Sequence, residues 1–255
     1  MKLNTEKMRA GVELSYILPV YFNQTNTKVL IDLLNHYSTY DREILSKIQF
    51  VIVDDCSPIA VNIPGYINLN YQLLSIESNI PWNQAGARNL GAVYAVSPKI
   101  ILTDCDHIFP EILLRKILES RIPRRTVFKF RREDAQSRPI KSAFNIFYTS
   151  KSVFFSTLGY DEEFCGFYGY EDQFFRELQL KVGNKISRFS MRHRIISSDI
   201  DREHSYHSLE RDTQRNRRLW VWKQSLLKSN DPFSSHSRLF LNFSFKKVKE
   251  QWLEF

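Results

Sequence analysis

Short apolar runs punctuate the chain, and each stops at a polar or acidic cluster. Tyr16-Ile17-Leu18-Pro19-Val20-Tyr21, Phe50-Val51-Ile52-Val53 and Ile100-Ile101-Leu102 are the clearest. Polar residues do not alternate within them, so they predict strands buried on both faces. Leu69 to Ile76 predicts a further strand. Between the runs, Val29, Leu30, Leu33 and Leu34 recur at helical spacing behind Asn26 and Thr27, either of which can cap a helix. Ala85 to Val96 predicts a helix rich in small residues and stopped by Ser97-Pro98. Pro110 to about Ser120 predicts another, with proline near its first turn. Strands alternating with helices imply an α/β fold, a mostly parallel and doubly wound central sheet flanked by helices.

The second half changes character. Thr126 to Arg131 and Phe144 to Thr149 predict strands, Val153 to Leu158 a short helix and Gly159 to Phe164 a turn. Glu171 to Val182 predicts a helix with Phe174, Phe175, Leu178 and Val182 on one face, ended by Gly183-Asn184. From Ile200 to Asn216 the chain is polar and basic. The pattern divides into a domain over residues 1–216 and an aromatic, basic extension over 217–255 that carries Trp220, Trp222, Phe240, Phe243, Phe245 and Trp252. The extension has two readings: a helix packed on the domain, or peripheral contact with an anionic membrane.

Composition narrows the function classes. The 255 residues, 43% hydrophobic, suit one α/β domain with a small appendage. The expected location is cytoplasmic. No run approaches the ~20 apolar residues of a membrane span, the first residues lack a signal-peptide core, and three scattered cysteines make no disulfide framework. A net charge of +8 admits nucleic acid, an anionic membrane or a phosphorylated substrate. The arginine clusters at 124–125, 131–132 and 215–218 come without zinc-finger spacing or an aromatic RNA-binding signature, so no nucleic-acid partner is expected.

The candidate chemistry is acidic. Lys99-Ile100-Ile101-Leu102 runs directly into Asp104-Cys105-Asp106 after one threonine. Two carboxylates at the end of a buried strand repel each other unless a cation neutralises them. Hard ions such as Mg²⁺ or Mn²⁺ fit that need, and a solvated strand-to-helix turn is the plainer reading. Asp54-Asp55 ends the preceding strand and offers acceptors to a base or ribose, or an Asx turn before Pro58. Arg88 projects from a helix of small residues toward a phosphate or a strand-end aspartate. Glu171-Asp172 opens a helix behind the aromatic run Phe167-Tyr168-Gly169-Tyr170. It either complements the helix dipole or supplies a base, Asp172, with Glu171 orienting the acceptor. His204 and His207 are candidate further ligands for a cation; His107 is a neighbour of the acidic tripeptide.

Taken in order, these motifs resemble one family. Ile17-Leu18-Pro19-Val20-Tyr21, Val53-Asp54-Asp55-Cys56-Ser57, Ala87-Arg88-Asn89-Leu90-Gly91, Thr103-Asp104-Cys105-Asp106, Gly159-Tyr160-Asp161-Glu162 and Gly169-Tyr170-Glu171-Asp172 look like a metal-dependent glycosyltransferase of the GT-A fold, family 2 type. The second half is similar to the carboxyl-terminal domain of galactosyltransferases. The resemblance implies a Rossmann-like GT-A fold and an inverting enzyme. Its donor would be a nucleotide-diphosphate sugar, UDP-galactose or UDP-N-acetylgalactosamine. Its acceptor would be a glycan or lipid-linked glycan, in surface polysaccharide assembly.

By the same resemblance, Pro19, Tyr21, Asp54, Asp55 and Arg88 serve the nucleotide. Asp106 ligates Mn²⁺ or Mg²⁺, with Asp104 on the ribose or metal side and His207 as the distant metal ligand. Asp172 is the base and Glu171 its acceptor-contacting neighbour. Phe167 and Tyr170 stand where many relatives carry tryptophan. The alternative is a catalytically silent nucleotide-sugar-binding scaffold of a glycan-assembly complex.

Overall fold

The computed structural model describes residues 11–24, 26–190, 192–197, 208–229 and 231–253. The first half runs β1 (Leu14–Val20), α1 (Lys28–Ser38), α2 (Arg42–Ser46), β2 (Ile48–Asp54), β3 (Asn70–Ile76), α3 (Gln84–Tyr94) and β4 (Lys99–Leu102). It continues through β5 (His107–Ile108), α4 (Glu111–Glu119), β6 (Thr126–Lys129), β7 (Arg131–Glu133) and β8 (Pro139–Ile140). Then follow β9 (Phe147–Ser150), α5 (Lys151–Phe155), α6 (Glu171–Lys181), β10 (Lys185–Arg188), β11 (Arg194–Ser197), α7 (Gln214–Leu227) and β12 (Phe245–Gln251).

Eight strands among the described residues form one sheet in the order β10-β6-β9-β4-β1-β2-β3-β12. The centre, β4-β1-β2-β3, is parallel; β9 and β12 run against their neighbours. Period-2 alternation into two buried faces explains why apolar residues follow one another in the central strands, with buried Ser15, Gln49 and Gln72 hydrogen-bonded in a row across them. On β1, Tyr16, Leu18 and Val20 enter the core on one face, and Ile17 enters the core on the other with Val51 and Val53 of β2. The strand expected over Thr126–Arg131 breaks at Phe130: β6 stays in the large sheet, and β7 joins a smaller one, β5-β11-β7-β8.

The helix α3 is buried along almost its whole length, from Ala85 to Val93. Its small residues permit this. A Cβ on Gly91 would collide with Ile17, and one on Gly86 with Asn83 and the ring of Phe243. Residue 216, where the sequence places the end of the domain, lies inside α7. Beyond it the chain wraps back. Leu241 and Asn242 donate their backbone N–H groups to Glu162, and β12 then pairs antiparallel with β3 at the sheet edge. The extension is therefore part helix and part strand. Buried Lys223 of α7 fastens it by ion pairs to Asp161 at 2.7 Å and Glu163 at 2.6 Å. No helix among the described residues is long and apolar enough to cross a membrane.

Candidate active site

Parallel strands place ligands beyond their carboxyl ends, where neighbouring loops diverge. Here the ends of β1, β2 and β4 open into a cleft of about 630 Å³. Pro19 near the end of β1 and Tyr21 after it, Asp55 after β2, Asp104 after β4, and Glu171-Asp172 at the start of α6 all line it. The structure thus brings together residues more than 150 positions apart in sequence. Arg132, Lys141 and Arg211 line the same cleft and set positive charge opposite its carboxylates.

The two aspartates after β2 part company. Asp54 accepts from the backbone N–H of Ser57, three residues on, at 3.0 Å and lies outside the cleft lining. Asp55 faces the cleft and accepts from Asn83 Nδ2 at 3.0 Å. Burial, and then the charge of Asp54, push the Asp55 carboxyl up to about 7.

Asp104 accepts from Gln84 Nε2 at 2.8 Å and Arg88 Nη2 at 3.0 Å through Oδ1, and from Asn145 Nδ2 through Oδ2. Asp106 is 5% exposed and outside the cleft lining, and its Oδ1 lies 3.3 Å from His107 Nε2. The two carboxylates are hard oxygen donors of the kind Mn²⁺ and Mg²⁺ take. Among the described residues no group of three metal-ligating side chains gathers. His204 and His207 lie outside the described residues. Cys105 packs in the hydrophobic core and also lines the cleft.

Of the two partners the sequence offers Arg88, the structure pairs it with the strand-end aspartate. It is fully buried beneath the cleft, and its guanidinium is committed to protein acceptors. Nη1 pairs with Asp172 Oδ1 at 2.6 Å, and Nη2 with Asp104 and with the carbonyl of Asn145 at 3.1 Å. A cation reaching for a phosphate would need a face in the cleft, so Arg88 serves the site through the two aspartates. Burial works against its charge, yet Asp172, Tyr160 and Asp104 leave it more firmly protonated than an ordinary arginine.

The acidic pair at the start of α6 is drawn out of water. Burial, and then the Asp172 charge, push Glu171 up to about 8. Burial also raises Asp172, against the pull of Arg88 and a hydrogen bond from Tyr160. Tyr170 just before them has φ 72°, a left-handed conformation rare for an aromatic residue. Tyr168 and Tyr170 line the cleft, whereas Phe167 sits under the Arg215 guanidinium at 4.8 Å.

Several partners stand outside the acidic motifs of the site. Gln84 and Asn145 hold Asp104, and Tyr160 holds Asp172. Asn216 donates to the carbonyls of Phe164, Phe167 and Gly169 at 2.8–2.9 Å and fixes the loop before the acidic pair. Trp82 packs its ring 4.5 Å from that of Tyr168 in the cleft wall, at φ 52°. Its indole N–H donates to the carbonyl of Glu210. Only the positive φ of Trp82, a strain that collects at functional sites, marks it out, and that is invisible in sequence.

The architecture is shared with solved structures of low identity. A TarS fragment from S. aureus in complex with UDP-GlcNAc superposes with a TM-score of 0.63 at 17% identity, over 88% of this chain and 69% of that one. The mannosyltransferase PcManGT from Pyrobaculum calidifontis, in complex with GDP-Man and Mn²⁺, gives 0.53 at 13% identity, over 86% and 66%. A Drosophila β-1,4-galactosyltransferase 7 variant with manganese, UDP-Gal and xylobiose gives 0.50 at 14%, over 86% and 81%. At these identities the likeness establishes the fold, which is GT-A. No curated protein matches the sequence. Residues 15–200 match the family model described as glycosyl transferase family 2. That span covers most of the chain and takes in Asp55, Asp104 and Asp172 of the cleft, so the chain belongs to glycosyl transferase family 2.

Proposed function

We propose that this chain is a metal-dependent, inverting glycosyltransferase that moves a hexose from a UDP-linked donor to a hydroxyl of a glycan or lipid-linked glycan acceptor. The observation that carries the reading is the meeting of Asp55, Asp104 and Asp172 in one cleft, each from a different element. Asp55 accepts from the base or ribose of the nucleotide, beside Pro19 and Tyr21. Arg132, Lys141 and Arg211 face the diphosphate. Asp104 and Asp106 would hold the divalent ion, with a third ligand from the segment containing His204 and His207. When bound, that ion supplies positive charge to the departing diphosphate.

The acceptor sugar rests on Trp82, Tyr168 and Tyr170, whose flat faces suit a pyranose. Asp172 takes the proton of the attacking hydroxyl. The hydroxyl oxygen bonds to the anomeric carbon as the bond to the diphosphate oxygen breaks, a single displacement with inversion. Glu171 orients the acceptor. Support comes from the fold, from the cleft geometry, and from structural neighbours solved with UDP-sugars and manganese.

The test is Asp172→Asn with a panel of UDP-sugars and Mn²⁺. Transfer and donor hydrolysis disappear, while calorimetric binding of the nucleotide sugar survives. A variant that still turns over removes Asp172 from the base role; a wild-type protein that binds the whole panel without turnover is the silent scaffold instead.

A further inference from the structure

The carboxylate of Asp172 is gripped on one oxygen. Arg88 Nη1 donates to Oδ1 at 2.6 Å, and the Tyr160 hydroxyl donates to the same Oδ1 at 2.7 Å. Among the described residues, no hydrogen bond falls on Oδ2. Tyr160 is itself rigid. Its backbone N–H donates to Asn89 Oδ1 at 2.8 Å, and its carbonyl accepts from Asn89 Nδ2 at 2.9 Å. Its ring stacks on Phe175 with centroids 4.5 Å apart and planes 11° from parallel. The residue is fully buried and outside the cleft lining, so it cannot touch a substrate.

A buried tyrosine hydroxyl needs a partner, and a phenylalanine would fill the same space without one. The hydroxyl is therefore placed for Asp172. We propose that Tyr160 is a positioning residue: with Arg88 it pins Oδ1 of Asp172 and so presents Oδ2 to the acceptor hydroxyl as the proton-accepting atom. The inference rests on the reading of Asp172 as base. In the step, the acceptor proton passes to Oδ2, and the electron pair of the broken glycosyl bond leaves with the nucleoside diphosphate. Donation to Oδ1 also favours the ionised carboxylate, against burial and against the neighbouring charge of Asp104.

The experiment compares Tyr160→Phe with wild type in the full chain. The variant keeps the ring and its stacking. The expected result is a fall in kcat of about ten- to a hundredfold, the range for losing a hydrogen bond to a charged group. The Kd for UDP-sugar stays within a factor of about two, and the ascending limb of the kcat–pH profile moves to higher pH. An unchanged kcat overturns the proposal. So does a fall in kcat with an unmoved limb, or one that comes with lost nucleotide-sugar binding, since both describe a structural role. Asp172→Asn separates the premises: turnover there refutes the base itself, whereas an inert Asp172→Asn beside an indifferent Tyr160→Phe refutes only the positioning.

Discussion

Arg88 and Asp172 lie 84 residues apart and form an ion pair at 2.6 Å, while the other end of the same guanidinium reaches Asp104 at 3.0 Å. One buried cation thus ties the end of β4 to the start of α6. Removing it leaves two aspartates facing each other with no compensating charge, which costs about 3–5 kcal/mol for a buried pair. Arg88→Met should therefore lower the urea midpoint sharply. Arg88→Lys should recover only part of the loss, because a single ammonium cannot reproduce the fork that spans both carboxylates. A lysine variant as stable as wild type would show that charge alone, without the bidentate geometry, suffices.

Much of this arrangement is legible in the sequence, and the part that is not follows a pattern. The strands are legible because both faces of the sheet are buried, so apolar runs are unbroken and their acidic ends stand out. The acidic groups of the site are legible for the same reason. What hides is direction and partnership. Asp54 and Asp55 are adjacent, and only the turn decides that one caps Ser57 while the other faces the cleft. Asn145, Gln84 and Asn216 are neutral amides whose value lies in what folds against them. The strand Phe245–Gln251 is disguised by lysines at 246, 247 and 249, which suit a solvent-facing edge strand and read as a basic tail.

The acidic tripeptide yields a prediction about metal. Asp106 is buried against His107, so Asp106→Asn preserves shape and removes charge. Mn²⁺ should tighten UDP binding to the wild type, and chelation with EDTA should reverse this. In Asp106→Asn the metal-dependent increment should fall by about tenfold or more, a scale typical of perturbed metal sites. Metal-free UDP affinity should stay unchanged. Calorimetric titration with and without Mn²⁺ measures both quantities, and an intact increment in the variant removes Asp106 from the ligand set.

Glu171 gives a pH dependence with a defined sign. Burial, and then Asp172, raise its folded carboxyl to about 8, above the ordinary value near 4.5. The folded state therefore holds a proton that the unfolded state releases. This stabilisation is complete below about pH 4.5 and is lost as pH rises through about 8. Melting temperature should fall across that window more steeply in the wild type than in Glu171→Gln, which mimics the protonated side chain at every pH. Parallel melting curves for the two proteins between pH 5 and 9 would show that Glu171 ionises like a solvated carboxylate.

Asn216 offers the sharpest test of how the loop before Asp172 is held in place. Its Nδ2 donates to the carbonyls of Phe164, Phe167 and Gly169, and its Oδ1 accepts from Arg215 Nη1 at 2.9 Å. The loop it fixes leads straight into Glu171-Asp172. Asn216→Ala leaves those carbonyls short of a donor, at a cost of about 1–3 kcal/mol. Asn216→Asp has nearly the same shape but presents an acceptor to three acceptors, so it should be worse than alanine despite being closer in size. The expected order of both melting temperature and kcat is asparagine, then alanine, then aspartate. If size alone mattered, aspartate would rank above alanine, and the hydrogen-bonded clamp would not be what holds the loop.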